Sequence, residues 1–353
     1  MPEVSHRWRS PYAFTDRFKE AGTRGRTLAA AGAAGFVAGL TAARRAARET
    51  TVHAAPRTGA WVQLNLTPER DSHGRALCYA ELAALADTFL AEKRARNFFF
   101  MHKAPGIRAR FQAAEPGEAA ELCAALLRRT DRWEGLRRRP VCAVYEPEHY
   151  LFGGPASMAY VHDLFTLDSL AWLDHHVNHP EGAGPSVGWR QSLLMLREVF
   201  DGLGIVGWEH RGVWDAVARE TGRRLRDAAA AIDPSARERA AAGVVAYWRT
   251  PRDEALRAFP EDRRDPLARH AKAAHRAAVR WRDGHFEAGG ASHGAAGEGY
   301  AAGEATVGPR TAAAYLTVFH WNRGLLSLAR QSLLTEALLH EGRVAHATSA
   351  AAH

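Results

Sequence analysis

The sequence predicts an α+β fold in which a central, largely antiparallel sheet is flanked by helices. Three observations carry this. Short segments of alternating hydrophobicity begin at Trp61, a Pro-Gly turn joins two adjacent β-rich runs, and long helical stripes dominate from Ala156 onward. With 353 residues the chain can bury a large core, as one large domain or two smaller ones. Its 24% charged and 46% hydrophobic residues exclude the disordered and membrane classes.

Residues 1–60 form a basic N-terminal segment, and the organised domain is expected to span residues 61–353. Residues 1–50 hold nine Lys or Arg against four acids, an excess of +5 within a net charge of +8. Such a segment can dock an acidic peptide, a nucleic acid or an anionic surface, or can simply be a solvated basic face. The run Leu28–Ala43 resembles a signal-peptide core. It starts too late, consists mostly of Ala and Gly, and at about 16 residues falls short of the roughly 20 that cross a bilayer. It reads as a closely packing helix.

In the organised part, Trp61–Leu66 alternates as a strand with Val62, Leu64 and Leu66 on one face. Leu82, Leu85 and Phe89 have helical spacing within Glu81–Arg96. Phe98–Lys103 and Ile107–Phe111 then flank Ala-Pro-Gly as a hairpin. The second run places Ile107, Ala109 and Phe111 on one face, with Arg108 and Arg110 on the other. Two guanidiniums so placed form a fixed site for a carboxylate or carbonyl oxygen; the alternative is a pair of solvent-facing arginines on an edge strand.

A helix over Glu118–Arg129 and a strand over Val141–Tyr145 follow. The strand runs into a loop carrying Glu148 and His149 and closed by Gly153-Gly154, which permits positive-φ backbone. The helix Ala156–Val177 presents Asp168 and Ser169 among apolar neighbours. A buried carboxylate there needs a partner, an arginine among the possibilities, and the serine can bond back to its own helix. His176 and His179 have metal-ligand spacing but no third ligand, and exposed helix-end histidines are the competing account.

Arg190–Arg282 reads as helical, with stripes such as Leu193, Leu196 and Phe200, and residues 284–310 as a Gly/Ala-rich loop. Tyr315, His320, Asn322 and Arg323 are then packed into nine residues ahead of a helix over Ser327–Leu339. The three cysteines (Cys78, Cys123, Cys142) are widely spaced, so neither a disulfide nor a cysteine zinc site is expected, and a reducing, cytoplasmic setting follows. No phosphate-cradling glycine loop, nucleophile elbow or helical zinc motif occurs.

Four blocks resemble a known family in the right order: Phe98–Lys103 with Pro105–Phe111, Tyr145–Glu148 with Phe152–Gly154, Leu164–Ser169, and Phe319–Arg323. The chain from about Trp61 to Leu339 is similar to the C-terminal elimination domain of lantibiotic dehydratases and its stand-alone, thiopeptide-type relatives. The resemblance implies an elimination-domain-like fold and one of two activities. One is removal of glutamate from glutamylated Ser/Thr. The other is pyridine synthesis, a formal [4+2] aza-cycloaddition of two dehydroalanines that closes a macrocycle and expels water and the leader peptide.

Elimination members resemble Tyr-x-x-Glu-x-x-Arg-Tyr-Gly-Gly in the second block. Here Tyr145 and Glu148 match, but Leu151 stands where the arginine would be. Leucine cannot stabilise a departing glutamate, which favours the pyridine synthase. A glutamate-eliminating subunit and a non-catalytic precursor-docking subunit are the alternatives. The resemblance matches Arg110, Glu148 and His320 to family positions. The chemistry needs proton donors and acceptors near neutral pH and a shape that holds two alkenes in register. Asp168, Ser169, His320 and Tyr315 are the candidates for proton transfer, and Arg108, Arg110, Glu148 and Arg323 for substrate binding. No metal or organic cofactor is expected. The implied partners are a ribosomal precursor peptide, bearing leader and dehydrated azole-containing core, and partner dehydratase subunits. Neither nucleic acid nor a membrane is an expected partner.

Overall fold

The computed structural model describes residues 61–72, 74–178, 186–225, 233–287 and 307–341. The basic segment 1–60, with its Leu28–Ala43 run, lies outside them, as do His179 and most of the Gly/Ala-rich stretch.

Four strands make one antiparallel sheet: β1 (Trp61–Pro68), β2 (Ala95–Lys103), β3 (Gly106–Ala113) and β4 (Leu136–Ala143), in the order β2-β3-β1-β4. The β2–β3 hairpin pairs Lys103 with Gly106 across Ala104-Pro105. Glycine is required there, since a Cβ on residue 106 would sit 1.9 Å from the Leu66 carbonyl oxygen.

The sheet's two faces differ as the alternation predicts. Val62, Leu64 and Leu66 share one face with Phe98, Phe100, Ile107, Ala109 and Phe111, all buried. Helices α1 (Tyr79–Ala91) and α2 (Ala119–Thr130) cover it with Leu82, Leu85, Phe89, Leu122 and Leu126. Phe89 packs on Phe111 with ring centroids 6.1 Å apart. Each such aliphatic or aromatic burial contributes roughly 1.5–3 kcal/mol.

Helix α3 (Met158–Asn178) lies along β2. Beyond it come α4 (Ser186–Gly202), α5 (His210–Thr221), α6 (Pro234–Arg249), α7 (Arg252–Leu256), α8 (Glu261–Trp281), α9 (Pro309–Arg323) and α10 (Leu328–Leu339). Helix α4 packs on α8, α8 on α3, and α5 on α9 and α10. No helix among the described residues is long and apolar enough to cross a membrane.

Several expectations need correction. The helix predicted over Glu81–Arg96 stops at Ala91, because the chain turns at Lys93 (φ 55°) and Arg96 already belongs to β2. The strand predicted over Val141–Tyr145 is Leu136–Ala143. Its partner β1 starts the pairing earlier, and Arg137, Arg138 and Arg139 stand exposed on this edge strand, hiding the alternation. Tyr315 to Arg323, placed by the sequence only ahead of the last helix, is itself helical, within Pro309–Arg323. Cys123 and Cys142, 19 positions apart, are joined as a disulfide because α2 packs on β4. Cys78 is free and buried, its thiol pushed up to about 12 by burial.

Candidate active site

The outer edge of β2 presents backbone groups at residues 98, 100 and 102 that no strand satisfies. Side chains from α3 and α9 take that role. Thr166 Oγ1 accepts from the Phe98 amide (3.1 Å) and Ser169 Oγ from the Phe100 amide (3.3 Å). Arg323 Nε donates to the Phe100 carbonyl (3.1 Å), and the Asn322 amide both accepts from and donates to the His102 backbone (2.8 and 3.0 Å). The motif residues Ser169, Asn322 and Arg323 therefore seal a sheet edge. Ser169 is fully buried with its oxygen committed to this bond, so the structure does not present it to a substrate.

Above that seam a carboxylate gathers two cations or their precursors. Asp168 Oδ1 lies 2.5 Å from His320 Nδ1, and Asp168 Oδ2 accepts from Arg323 Nη1 at 2.8 Å. Of the three, Asp168 is the most accessible: its side chain is 14% exposed, against 3% for His320 and none for Arg323. Burial alone would raise the Asp168 carboxyl, but His320 and Arg323 together hold it below the usual carboxylate range. Arg323 Nη2 is buried without a hydrogen-bond partner, and the guanidinium lies 4.3 Å from the Phe165 ring centroid.

His320 is wired at both nitrogens. Its Nε2 lies 3.0 Å from Ser192 Oγ, which in turn accepts from Trp321 Nε1 at 3.0 Å. Trp172 Nε1 approaches Nδ1 at 3.0 Å. Nδ1 faces both the Asp168 carboxylate and the Trp172 indole N–H, and Nε2 faces the Ser192 hydroxyl. The chain Trp321–Ser192–His320–Asp168–Arg323 spans α4, α9 and α3, and fixes the imidazole's position and tilt. Sequence reading missed Ser192, and it gave the two tryptophans, which lie in the helix with Asp168 and in the block with His320, no role. Ser192 stands directly before the apolar stripe of α4, where a fully buried serine in a helix was the available signal.

Arg110 occupies the opposite sheet face from Phe111, on a central strand rather than an edge. It is buried, donates from Nε to Gln63 Oε1 (2.8 Å), and lies 5.0 and 4.7 Å from the ring centroids of Phe99 and Tyr145. Tyr145 Oη is 3.0 Å from His162 Nε2, and Trp61 packs on His162, Tyr145 and Phe99 at 4.4, 5.1 and 5.4 Å. Burial drives the His162 pKa down to about 3, so it is neutral, and raises the Tyr145 hydroxyl above its ordinary value. Burial also lowers the Arg110 guanidinium, opposed by Tyr145 and by Glu148 in the neighbouring loop. Phe99 joins the two halves: Arg323 lies 5.8 Å from its centroid on the Asp168 side.

Of the predicted site residues, the structure brings together Asp168, His320 and Arg323, and beside them Arg110 with Glu148 nearby. Arg108 is half-buried on the same face as Arg110. Tyr315 is not part of this group. Five positions before His320, it lies about 140° around the helix, and its hydroxyl is raised by partial burial and by Glu220 and Tyr150. His175 and His176 are buried rather than exposed at the helix end. His176 Nε2 lies 2.7 Å from the Arg323 carbonyl oxygen and its ring stacks on Tyr79, so a bond to α9 replaces the expected solvent. Among the described residues no cluster of three or more His, Cys, Asp or Glu is arranged to hold a metal. Leu151 sits in the short turn His149–Leu151, packed against the core, ahead of Gly153 and Gly154 with φ of 93° and 104°.

A half-buried sheet face thus carries a ring-caged arginine beside a buried Asp-His-Arg cluster. Residues 61–341 match the family described as "Lantibiotic biosynthesis dehydratase C-term", and the chain belongs to that family. The fold is similar to that in the crystal structure of the tRNA-dependent lantibiotic dehydratase MibB from Microbispora sp. 107891. The TM-score is 0.55 at 17% identity, over 84% of this chain but only 29% of that one. A second similar structure, TsrL, gives a TM-score of 0.44 at 16% identity, covering 76% of this chain and 89% of that one. No curated protein matches the sequence.

Proposed function

We propose that this chain is a pyridine synthase of thiopeptide biosynthesis, which joins two dehydroalanines of a modified precursor peptide and then expels water and the leader. The observation that carries this reading is the turn at Leu151. The family's elimination members resemble one another in an arginine there, and here an aliphatic side chain packs on the core instead. What remains on the Arg110 face is a guanidinium set among aromatic rings, of which Trp61 is partly exposed and Phe99 and Tyr145 are buried beneath it, a lining more apolar than a carboxylate site needs.

In this reading one backbone amide of the substrate shifts its proton from nitrogen to oxygen, giving a 2-azadiene beside the second alkene. Arg110 donates to an amide carbonyl oxygen and Glu148 helps align it, with Arg108 at the margin. Asp168, the accessible end of the Trp321–Ser192–His320 chain, exchanges the proton, and His320 holds and charges it. The same carboxylate then takes a ring proton and passes it to the departing hydroxyl, which leaves as water, and takes a second ring proton and passes it to the departing leader amide. Arg323 acts as the buried counter-cation that keeps Asp168 in place. The reaction belongs in the cytoplasm, where ribosomal precursors are made, with the basic N-terminal segment 1–60 and partner dehydratase subunits aiding precursor recognition.

The test is mass spectrometry of a dehydrated, azole-bearing precursor incubated with the purified protein alone. A cyclised product plus a released leader amide supports the reading. Loss of glutamate from a glutamylated precursor would replace it with elimination, and neither product would point to a docking subunit.

A further inference from the structure

Arg110 is the first of three linked side chains on one face of the sheet. Its Nε donates to Gln63 Oε1 at 2.8 Å, and Gln63 Nε2 donates to Asn65 Oδ1 at 3.0 Å. A guanidinium can only donate, so the first bond fixes the Gln63 amide with its oxygen toward Arg110 and its nitrogen toward Asn65. The second bond then sets the Asn65 oxygen toward Gln63, and the Nδ2 donor is what Asn65 has left to offer. Gln63 is buried and Asn65 is exposed. The relay therefore carries an orientation set at the buried guanidinium out to the surface. Cross-strand partners share a face. Gln63 stands opposite Arg110, while Asn65 stands opposite Arg108 on one side and Val141 on the other. Arg110 and Gln63 are buried, Arg108 is half-buried, and Asn65 and Val141 are exposed, so the face opens one step beyond Arg110. Along β1 that step is two residues, about 6.8 Å, which is also the repeat of alternate carbonyls on one side of an extended peptide.

We infer that Asn65 is a further substrate-binding residue, which donates from Nδ2 to the peptide carbonyl two residues away from the amide that Arg110 holds. The inference rests on the reading that the substrate is a modified peptide engaged by Arg110. Gln63 is the positioning residue between them: it touches no substrate, but it couples the direction of the Asn65 amide to the guanidinium. A surface asparagine in water gains nothing from a fixed amide direction, whereas a ligand acceptor at one set distance does. The assignment restricts the substrate. The chain must lie extended past Arg110 and must keep an ordinary amide at the Asn65 position. An azole closed on that amide with loss of its oxygen would remove the acceptor, so azoles are expected elsewhere around the reacting residues.

The experiment is a binding cycle that needs no turnover. The probe is a fluorescein-labelled, leaderless core peptide with alanine at both dehydroalanine positions, so that it cannot react, titrated by anisotropy onto the full chain. Two analogues each replace one amide, two residues before or two residues after the reacting one, by a fluoroalkene that keeps the shape and loses the carbonyl acceptor. Asn65→Ala should raise the Kd of the probe about three- to tenfold, the range of one neutral hydrogen bond. One of the two analogues should lose as much against the parent and nothing further against Asn65→Ala. Asn65→Asp, which keeps acceptors but no donor, should not restore binding. The position is exposed, so both variants should melt as the parent does. Parental Kd in Asn65→Ala, additive losses with both analogues, parental binding by Asn65→Asp, or no binding of the probe by the parent would each overturn the inference. Its fate is separable from that of the activity. Cyclisation by the parent with additive losses removes Asn65 and leaves the activity. Intact coupling with no cyclised product from the reactive precursor leaves Asn65 as a peptide-binding residue and removes the pyridine synthase.

Discussion

Replacing Asp168 by Asn is the change that most directly tests how the cluster is held. The amide keeps the shape of the carboxyl but deletes the charge facing Arg323, whose side chain is wholly buried. Removing one member of a buried pair leaves an uncompensated charge, which costs about 3–5 kcal/mol. Arg323 already has one buried Nη2 without a partner, so it has no second acceptor to turn to. The one remaining amide oxygen can serve either Arg323 Nη1 or His320 Nδ1 but not both, so the other is stranded at a further cost of about 1–3 kcal/mol. The expected loss is therefore about 4 kcal/mol or more, read as the shift in urea midpoint at constant slope, by tryptophan fluorescence. The companion Arg323→Met should be destabilising alone, and Asp168→Asn/Arg323→Met should recover at least about 2 kcal/mol of the sum, because no unpaired cation remains. A single-variant loss below about 1 kcal/mol, or strictly additive losses, would show that Asp168 and Arg323 do not form the buried pair described.

Three further outcomes follow from the same geometry. Ser192→Ala strands the Trp321 indole N–H and frees His320 Nε2, so it should cost about 1–3 kcal/mol in a denaturant melt; Ser192→Thr, which keeps the hydroxyl, should cost less, and equal costs would remove Ser192 from the chain. Leu151→Arg places a cation in the turn ahead of Gly153-Gly154, where an aliphatic side chain now packs on the core; mass spectrometry should show slower cyclisation and no gain in glutamate elimination, and a gain would favour the elimination reading. Acid should destabilise the fold early. Burial holds His102 near 4 and His162 near 3, while the unfolded chain titrates its histidines near 6.5. The stability they contribute is complete above about pH 6.5 and is lost as pH falls through that window, at up to about 1.4 kcal/mol per pH unit for each. Urea melts at pH 7 and pH 5 check the sign, and unchanged stability would mean that both rings protonate freely in the fold.

Much of the sheet was legible because its signal is local. Val62, Leu64 and Leu66, and Ile107, Ala109 and Phe111, alternate within single strands, and Pro105-Gly106 marks the turn between two of them. β4 was displaced because its exposed face is three arginines in a row, and strand identity there comes from pairing with β1, a contact that sequence does not display. The helix carrying His320 showed only a dense run of polar and aromatic residues. Nothing local says that Asn322 and Arg323 point at a strand more than 200 positions earlier. The motif blocks located Asp168, Arg110 and His320 but could not separate a catalytic group from a structural one.

That separation has a physical basis in the edge of β2, which no strand pairs. An edge strand must have its amides and carbonyls satisfied, and here the satisfying groups are Thr166, Ser169, Asn322 and Arg323, drawn from the same two short motifs that hold Asp168 and His320. Edge sealing and chemistry thus share one seam, and the helical period divides the labour along it. On α3, Thr166 and Ser169, three positions apart, face the strand, while Asp168 between them turns toward His320. On α9, Asn322 and Arg323 reach the strand, while His320 turns toward Ser192. Arg323 does both, with Nε on the Phe100 carbonyl and Nη1 on Asp168. A change that loosens β2 therefore displaces the carboxylate, and variants of Ser169 or Asn322 will impair turnover without either side chain touching substrate. Their losses should fall together with stability, whereas those at Arg110, whose Nε already has Gln63, should fall on turnover first.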